Sequence, residues 1–336
     1  MARQVYQVDK KNEFVKAGAT DLIQLIAAPG ANQLFVRKGF LEILVASIAS
    51  GFFIHLSGPT GTAKSSLLEA LSLVPENFYP ICKAIGFAAK PLMVFPIEMA
   101  TFETPGELYQ RRALKDGSTF DEKSVLVQSL EKAVKIKEKS YPLIWLREMG
   151  RVHTATVQGG LLDLLTAGDI LLPDGTRLDG RGIAWVADSN YQAEQDSTHT
   201  LVTLDDALRR RFSINLTLNH LSTELEATVL TYLLKKEGKR TNRSLINNIV
   251  KLGDHIRKAR AEGNMQSVAP PTIYGYLTFY RMSELLPHLD LGTIAESTIL
   301  GNASGEDLKT GPAMFNKVFG LIKAADEEPV VTENCF

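Results

Sequence analysis

Cysteine is scarce in this sequence. The 336 residues include two, Cys82 and Cys335, which supply neither a disulfide framework nor a zinc set. Reduced cytoplasmic thiols are the expectation. Histidines at ligand spacing are missing as well. The six (55, 153, 199, 220, 255 and 288) form no HxxxH or HxH pair, which argues against a metal site built on them. Nor is there an excess of one charge. Thirty-seven Lys and Arg face 38 Asp and Glu, for a net charge of -1. No global field therefore draws the chain to nucleic acid or anionic lipid, although a local basic patch is compatible with that balance.

Long hydrophobic runs are also lacking. The N-terminal "MARQVYQVDKKNEF" has no apolar h-region of a secretory signal. The most apolar stretch, "FLEILVASIASGFFIHLSG" (40–58), carries Glu42 and His55 and breaks at Gly51. It reads as a buried helix followed by a strand, not as a membrane span. These features predict a cytoplasmic protein with no membrane partner. Apolar residues at 45% and charged residues at 22% are ordinary for a globular chain. The length suffices for one large domain or two modest ones.

What is there is an alternation of strands and helices. Residues 1–37 read as a small entry region with a turn at Pro29-Gly30. Strand-like runs follow at 52–58, 91–99, 142–147, 182–188 and 212–218. Between them lie helical patterns after Lys64, at 124–140 and at 155–168. "DILLPDGTRLDG" (169–180) reads as a hairpin around Pro173-Asp174-Gly175. From about residue 219 the pattern turns helical, at 221–236, 243–261, 270–286 and 312–324. The predicted fold is α/β, a three-layer sandwich on a parallel sheet spanning 38–218, followed by a smaller all-helical domain at 219–323. Residues 324–336 read as a frayed acidic tail.

Between the first strand and its helix stands "LSGPTGTAKSS", which fits GxxxxGK[ST] except at one position. Gly58, Pro59, Thr60, Gly61, Thr62, Ala63, Lys64, Ser65 and Ser66 form the expected phosphate loop. Its glycines let backbone N–H groups converge on phosphate oxygens, and the following helix adds its positive end. Lys64 offers a point charge to the outer phosphates, and the Ser65 hydroxyl can ligate Mg²⁺. Ala63 stands where the last glycine is usual. As a good helix former it is tolerated provided that it lies in the helical turn.

Two further segments bear on chemistry. "GIAWVADSN" ends a strand with Asn190, a residue type that can orient water near a γ-phosphate. "LDDALRRRFSI" places Arg209, Arg210 and Arg211 at a helix end before a strand. They read as a solvated basic turn, as a nucleic-acid patch or as an arginine finger for a neighbouring subunit's nucleotide.

Together these segments resemble the AAA+ ATPases, in the branch containing MoxR proteins and McrB. "GPTGTAKS" looks like the MoxR phosphate loop. "TFETPGELYQRR" (101–112) is similar to that branch's insert in the second helix, "ILLPDGTRL" to its hairpin before sensor 1, and "DDALRRRF" to its finger segment. The resemblance implies ATP and Mg²⁺ as cofactors and a hexameric ring of this chain. It gives Glu148 as the glutamate that polarises water, Asn190 as sensor 1, and Arg211 with Arg210 as fingers acting in trans. It also implies chaperone-like remodelling of a protein partner, often one carrying a von Willebrand A domain.

The sequence departs from that pattern twice. "VAPPTIYGY" (268–276) has no arginine where the family's sensor 2 stands. "PLIWLREMGRV" (142–152) puts Arg147 where the family carries the Walker B Asp, just before Glu148. At ~4 Å and an effective dielectric of about 20, each like-charge contact of Arg147 with Lys64 or Mg²⁺ would cost on the order of 4 kcal/mol. Arg147 must therefore turn away or find an acid. Asp188, two residues before Asn190 on a strand expected to neighbour that of Arg147, shares a face with Asn190. It is the expected partner of Arg147, or the replacement metal carboxylate. Three functions remain open on sequence: an ATP-driven remodelling ring with slow or conditional hydrolysis, an ATP-binding scaffold that turns over little, and a McrB-like nucleic-acid motor using GTP or ATP.

Overall fold

In the computed structural model, the described residues are 21–115, 117–151, 155–165, 169–172, 174–190 and 205–326. The chain divides into two units, Met1–His220 and Leu221–Phe336.

The first unit opens with a hairpin, β1 (Leu22–Leu25) against β2 (Leu34–Arg37), around the Pro29-Gly30 turn. Gly30 has φ +75°, the left-handed value a tight reversal needs. This hairpin is more structure than the sequence pattern predicts. Ile23, Leu25 and Val36 are buried. Helix α1 (Lys38–Ala49) and strand β3 (Phe53–Ser57) follow, as the apolar stretch predicts. After the loop come α2 (Lys64–Leu73) and a separate α3 (Pro75–Ala84). The sequence pattern implies only a loop there. Pro75 is pre-organised for a first helical turn, and Phe78, Ile81 and Cys82 line one buried face.

Strand β4 (Leu92–Glu98) leads to an antiparallel ribbon, β5 (Gln110–Lys115) with β6 (Ser118–Lys123), which begins at the end of the 101–112 segment and runs mostly beyond it. Helix α4 (Val125–Ile136) is capped by Ser124, whose Oγ accepts the Val127 N–H at 3.1 Å. Then come β7 (Tyr141–Arg147), α5 (Ala155–Leu164) and the hairpin β8 (Asp169–Leu171) with β9 (Arg177–Asp179). Pro173 of that turn lies outside the described residues. Strand β10 (Ala184–Ser189), the short α6 (Asp206–Arg209) and β11 (Ile214–Thr217) complete the unit.

Five strands form one parallel sheet in the order β11-β3-β10-β7-β4. From β3 the chain crosses to the far edge, returns by β7 and β10, then places β11 on the other side of β3. The C-terminal end of β3 is thus the point where the winding reverses, the usual ligand position in open parallel sheets. Side chains alternate strictly. On β7, Leu143 and Trp145 enter one core with α1, α2 and α3, while Ile144 and Leu146 enter the other with α4 and α5. The α/β parallel-sheet fold matches the sequence expectation, and β10 does lie beside β7.

The second unit is helical: α7 (Thr223–Lys236), α8 (Arg243–Ala261), α9 (Ile273–Leu285), α10 (Leu291–Thr298) and α11 (Asp307–Asp326). Helix α10 is an addition to the predicted set, and α11 starts before Pro312, not at it. Phe315 stacks on Phe319 at 4.3 Å, with Phe279 at 6.2 Å from Phe319. Among the described residues no helix is long and apolar enough to cross a membrane. Residues 1–20 of the entry region and 327–336 of the tail, with Cys335, lie outside the described residues.

Candidate functional site

The candidate phosphate loop leaves β3 at Gly58, whose φ is +155°. A Cβ there would stand 2.2 Å from the Leu218 carbonyl oxygen, so only glycine fits. Gly61 turns the loop with φ +82°, and Thr62 Oγ1 donates to Pro59 O at 2.9 Å. Ala63 adopts φ 65°, ψ 32° and is the residue before the helix. It lies outside the helical turn, contrary to the condition under which the sequence tolerates alanine. Its left-handed backbone costs about 1–2 kcal/mol that glycine would not incur.

Helix α2 begins at Lys64 with no side-chain cap, so the N–H groups of its first turn point outward from the loop. Ser65 and Ser66 lie in that turn, half-buried. Lys64 itself is buried at 7% exposure. Its Nζ donates to Gly58 O at 2.8 Å, Pro59 O at 3.0 Å and Asn190 Oδ1 at 3.0 Å. One ammonium thus joins the loop to the residue just past β10.

Arg147 ends β7 and is the register partner of Glu98 on β4. Its Nη1 donates to Glu98 Oε1 at 2.5 Å, and its guanidinium lies 4.8 Å from the centre of the Trp145 ring. The expected Arg147–Asp188 pair does not form. Glu98, level with Arg147 on the next strand, is the nearer acid, and the carboxylate of Asp188 is engaged elsewhere. Its Oδ1 accepts the indole Nε1–H of Trp145 at 2.8 Å and the peptide N–H of Glu148 at 3.2 Å. Burial pushes the Asp188 carboxyl above its usual range, against the pull of those two hydrogen bonds and of Lys64.

Glu148 has φ +52°, one of three non-glycine residues with positive φ among the described residues. Its carboxylate pairs with Arg151 Nη1 at 3.1 Å, one helical turn on. On the opposite sheet face, His55 Nε2 lies 2.8 Å from Ser189 Oγ and its ring 5.8 Å from that of Phe212. Burial lowers the His55 pKa, against a hydrogen bond from Asn215 and together with the charge of Arg209.

The arginine triplet is remote from this loop. Asp205 caps α6, and Arg210 and Arg211 follow it, both exposed. They precede β11, whose Ile214 is level with Ile54 while Thr217 is level with Ser57. The strands run parallel, so the triplet stands at the opposite end of the sheet from Gly58. Three residues of strand, roughly 10 Å, separate the two levels before the chain from Arg211 to Ile214 is added.

In the helical unit, Thr272 caps α9 within the segment that lacks a sensor 2 arginine. The arginine held there is Arg257 of α8, which donates to Pro271 O at 3.2 Å and bidentately to Glu226.

The structure brings together Gly58, Pro59, Lys64 and Asn190, and joins Asp188 to Glu148. It leaves Arg210 and Arg211 apart from them. The sequence reading missed Glu98, Trp145 and the Arg151 pair. Strand parity on β4 and β7 was the signal for Glu98, since each strand was anticipated but not their register. For Mg²⁺, the hydroxyl of Ser65 in the first turn of α2 is an oxygen donor of the kind that cation takes. Asp188, the other candidate, is 5% exposed and its Oδ1 already accepts two hydrogen bonds. No group of three His, Cys, Asp or Glu among the described residues could hold a metal.

No protein-family model matches the chain, and neither does any curated protein. A solved structure of a Thermotoga maritima RuvB point mutant is similar over 85% of this chain and 69% of that one, at 12% identity and a TM-score of 0.42. The phosphate loop and its neighbours, not that likeness, carry the functional assignment.

Proposed function

We propose that this chain is an AAA+ ATPase of the MoxR-like kind, binding ATP with Mg²⁺ at the interfaces of a ring and remodelling or assembling a protein partner. The observation that carries the nucleotide site is the convergence of Gly58, Pro59 and Asn190 on Lys64 Nζ, at the uncapped start of α2. Loop N–H groups would cradle the phosphates, Lys64 would neutralise the outer ones, and Asn190 would orient the attacking water. Glu148 would polarise that water once it leaves Arg151. The Ser65 hydroxyl would hold Mg²⁺, which when bound would supply neutralisation of phosphate charge.

The ring reading is supported by the position of Arg210 and Arg211. Exposed at the far end of the sheet from their own loop, they suit a neighbour's nucleotide, not their own. ATP in preference to GTP and a partner with a von Willebrand A domain follow from the resemblance alone, and a cytoplasmic setting from the sequence composition.

A second reading has its own observation. With Glu148 on Arg151 and no acid at residue 147, the chain would bind ATP to build a scaffold and turn it over little.

Steady-state ATP and GTP hydrolysis with Mg²⁺, compared with Glu148→Gln, separates the two. Turnover that Glu148→Gln abolishes supports the remodelling ATPase. Binding that Lys64→Ala abolishes, with no turnover in the wild type, supports the scaffold. Loss of neither binding nor turnover in Lys64→Ala sinks the nucleotide site. Salt-sensitive DNA binding at near-physiological ionic strength would revive the nucleic-acid motor.

A further inference from the structure

The residue at the centre of this site is one that neither the phosphate loop nor the acidic position accounts for. Asp188 is 5% exposed and stands on β10 beside the end of β7. A single oxygen, Oδ1, accepts from two donors that belong to different parts of β7's terminus, the indole of Trp145 and the peptide of Glu148. Glu148 occupies a left-handed backbone conformation that a non-glycine residue adopts only when its surroundings impose it. Trp145 is 2% exposed, and Arg147 lies over its ring on the way to Glu98.

We propose that Asp188 is the positioning residue of this site, fixing the peptide of Glu148 and, through Trp145, the platform that keeps the Arg147 cation on Glu98. Its role rests on the reading of Glu148 as the group that polarises water. Each anchor governs a charged side chain. The peptide orientation of a glutamate at a strained turn sets where its carboxylate can meet the attacking water, and misplacement by about 1 Å can cost ~100-fold in rate. A guanidinium released from Trp145 is free to swing into the region of Lys64, where like charges repel. Asp188 therefore acts as a hydrogen-bond acceptor in this site. Its Oδ1 serves that role through both donors.

The test uses the full chain with Asp188→Asn, which keeps an acceptor oxygen in place, and Asp188→Val, which removes it at similar volume. Two readouts are taken: kcat and KM for ATP, and ¹H–¹⁵N spectra. The chain has two tryptophans, so two indole cross-peaks are expected, with Trp145→Phe assigning one. In Asp188→Asn we expect kcat within about threefold of wild type and the Trp145 indole and Glu148 amide peaks close to their wild-type positions. In Asp188→Val, kcat falls about tenfold or more with KM nearly unchanged, and both peaks move upfield and lose exchange protection.

Three results overturn the proposal. One is both peaks unmoved in Asp188→Val, another is wild-type kcat in that variant, and the third is a loss in Asp188→Asn as deep as in Asp188→Val. The last would mean that the charge itself matters. A folded wild type without turnover sinks the hydrolysis reading by itself, and the spectra still decide whether Asp188 holds Glu148 and Trp145.

Discussion

Arg147 and Glu98 face each other as register partners at the ends of β7 and β4, joined at 2.5 Å. The pair explains how the Arg147 cation is accommodated at the end of β7. A parallel sheet places the two residues on one face, and Trp145 beneath gives the guanidinium a flat surface. The pair is part-exposed, at 33% and 49% for the two side chains. Its contribution to stability is therefore modest, at most about 1 kcal/mol.

With Arg147 in that place, nucleotide binding should depend weakly on Mg²⁺. We expect the affinity for ATP to change by about threefold or less on adding a chelator, since on the proposed function Lys64 and the loop would carry most of the phosphate contact. Arg147→Asp should raise that Mg²⁺ dependence to about tenfold or more while lowering stability, because the new acid faces Glu98 and lies near Asp188. Calorimetric titration of both proteins with and without chelator decides it. An equal Mg²⁺ dependence in the two would refute the account.

The sheet and the loop were legible because each rests on local pattern. Apolar runs flanked by turns marked β3, β7 and β10, and the Gly58 to Ser65 spacing marked the loop. Register was not legible. A one-residue shift of β4 against β7 would have put Glu98 out of reach of Arg147, and one sequence holds no cross-strand information. Ala63 failed for a related reason. Composition says that alanine favours helix, but the turn ahead of α2 demands left-handed backbone at that position.

Ala63→Gly should therefore stabilise the first unit by about 0.5–1 kcal/mol. That figure is the relief of left-handed strain less the added freedom of an unfolded glycine. Gly58→Ala should act in the opposite sense. Its Cβ would meet Leu218 O at 2.2 Å, so the loop must move and ATP affinity should fall at least about tenfold as the N–H cradle opens. Denaturant unfolding and equilibrium binding of both variants check the two signs.

His55 predicts a pH dependence. Its pKa is lowered chiefly by burial, so the folded state binds fewer protons than the unfolded state just below the ordinary imidazole value. Its contribution to stability is present above about pH 6.5 and is lost as the pH falls through the lowered folded value. The groups facing the ring are Ser189, Phe212, Asn215 and the charge of Arg209. His55→Gln should flatten the fall in stability of the first unit below about pH 6.5. Unfolding midpoints across pH 5 to 8 measure this, and an unchanged slope would assign the dependence to other groups.

The helical unit carries a buried ionic cluster whose removal should be costly in one form and mild in another. Arg257 and Glu226 are 11% and 3% exposed at their side chains and pair at 2.8 Å. Arg257 Nη1 also donates to the Tyr276 hydroxyl at 2.8 Å. The ring of Tyr276 passes so close to α8 that a Cβ on Gly253 would lie 1.9 Å from its hydroxyl. Arg257→Leu leaves the Glu226 carboxylate buried without its cation and should destabilise this unit by about 3–5 kcal/mol. Adding Glu226→Met removes the stranded charge and should recover much of the loss, leaving the Tyr276 hydroxyl as the remaining unpaired group. A double-mutant cycle by denaturant unfolding reads the coupling directly. Additive losses in the two single variants would show that the pair does not act as a unit, and that α7, α8 and α9 are held by their apolar faces alone.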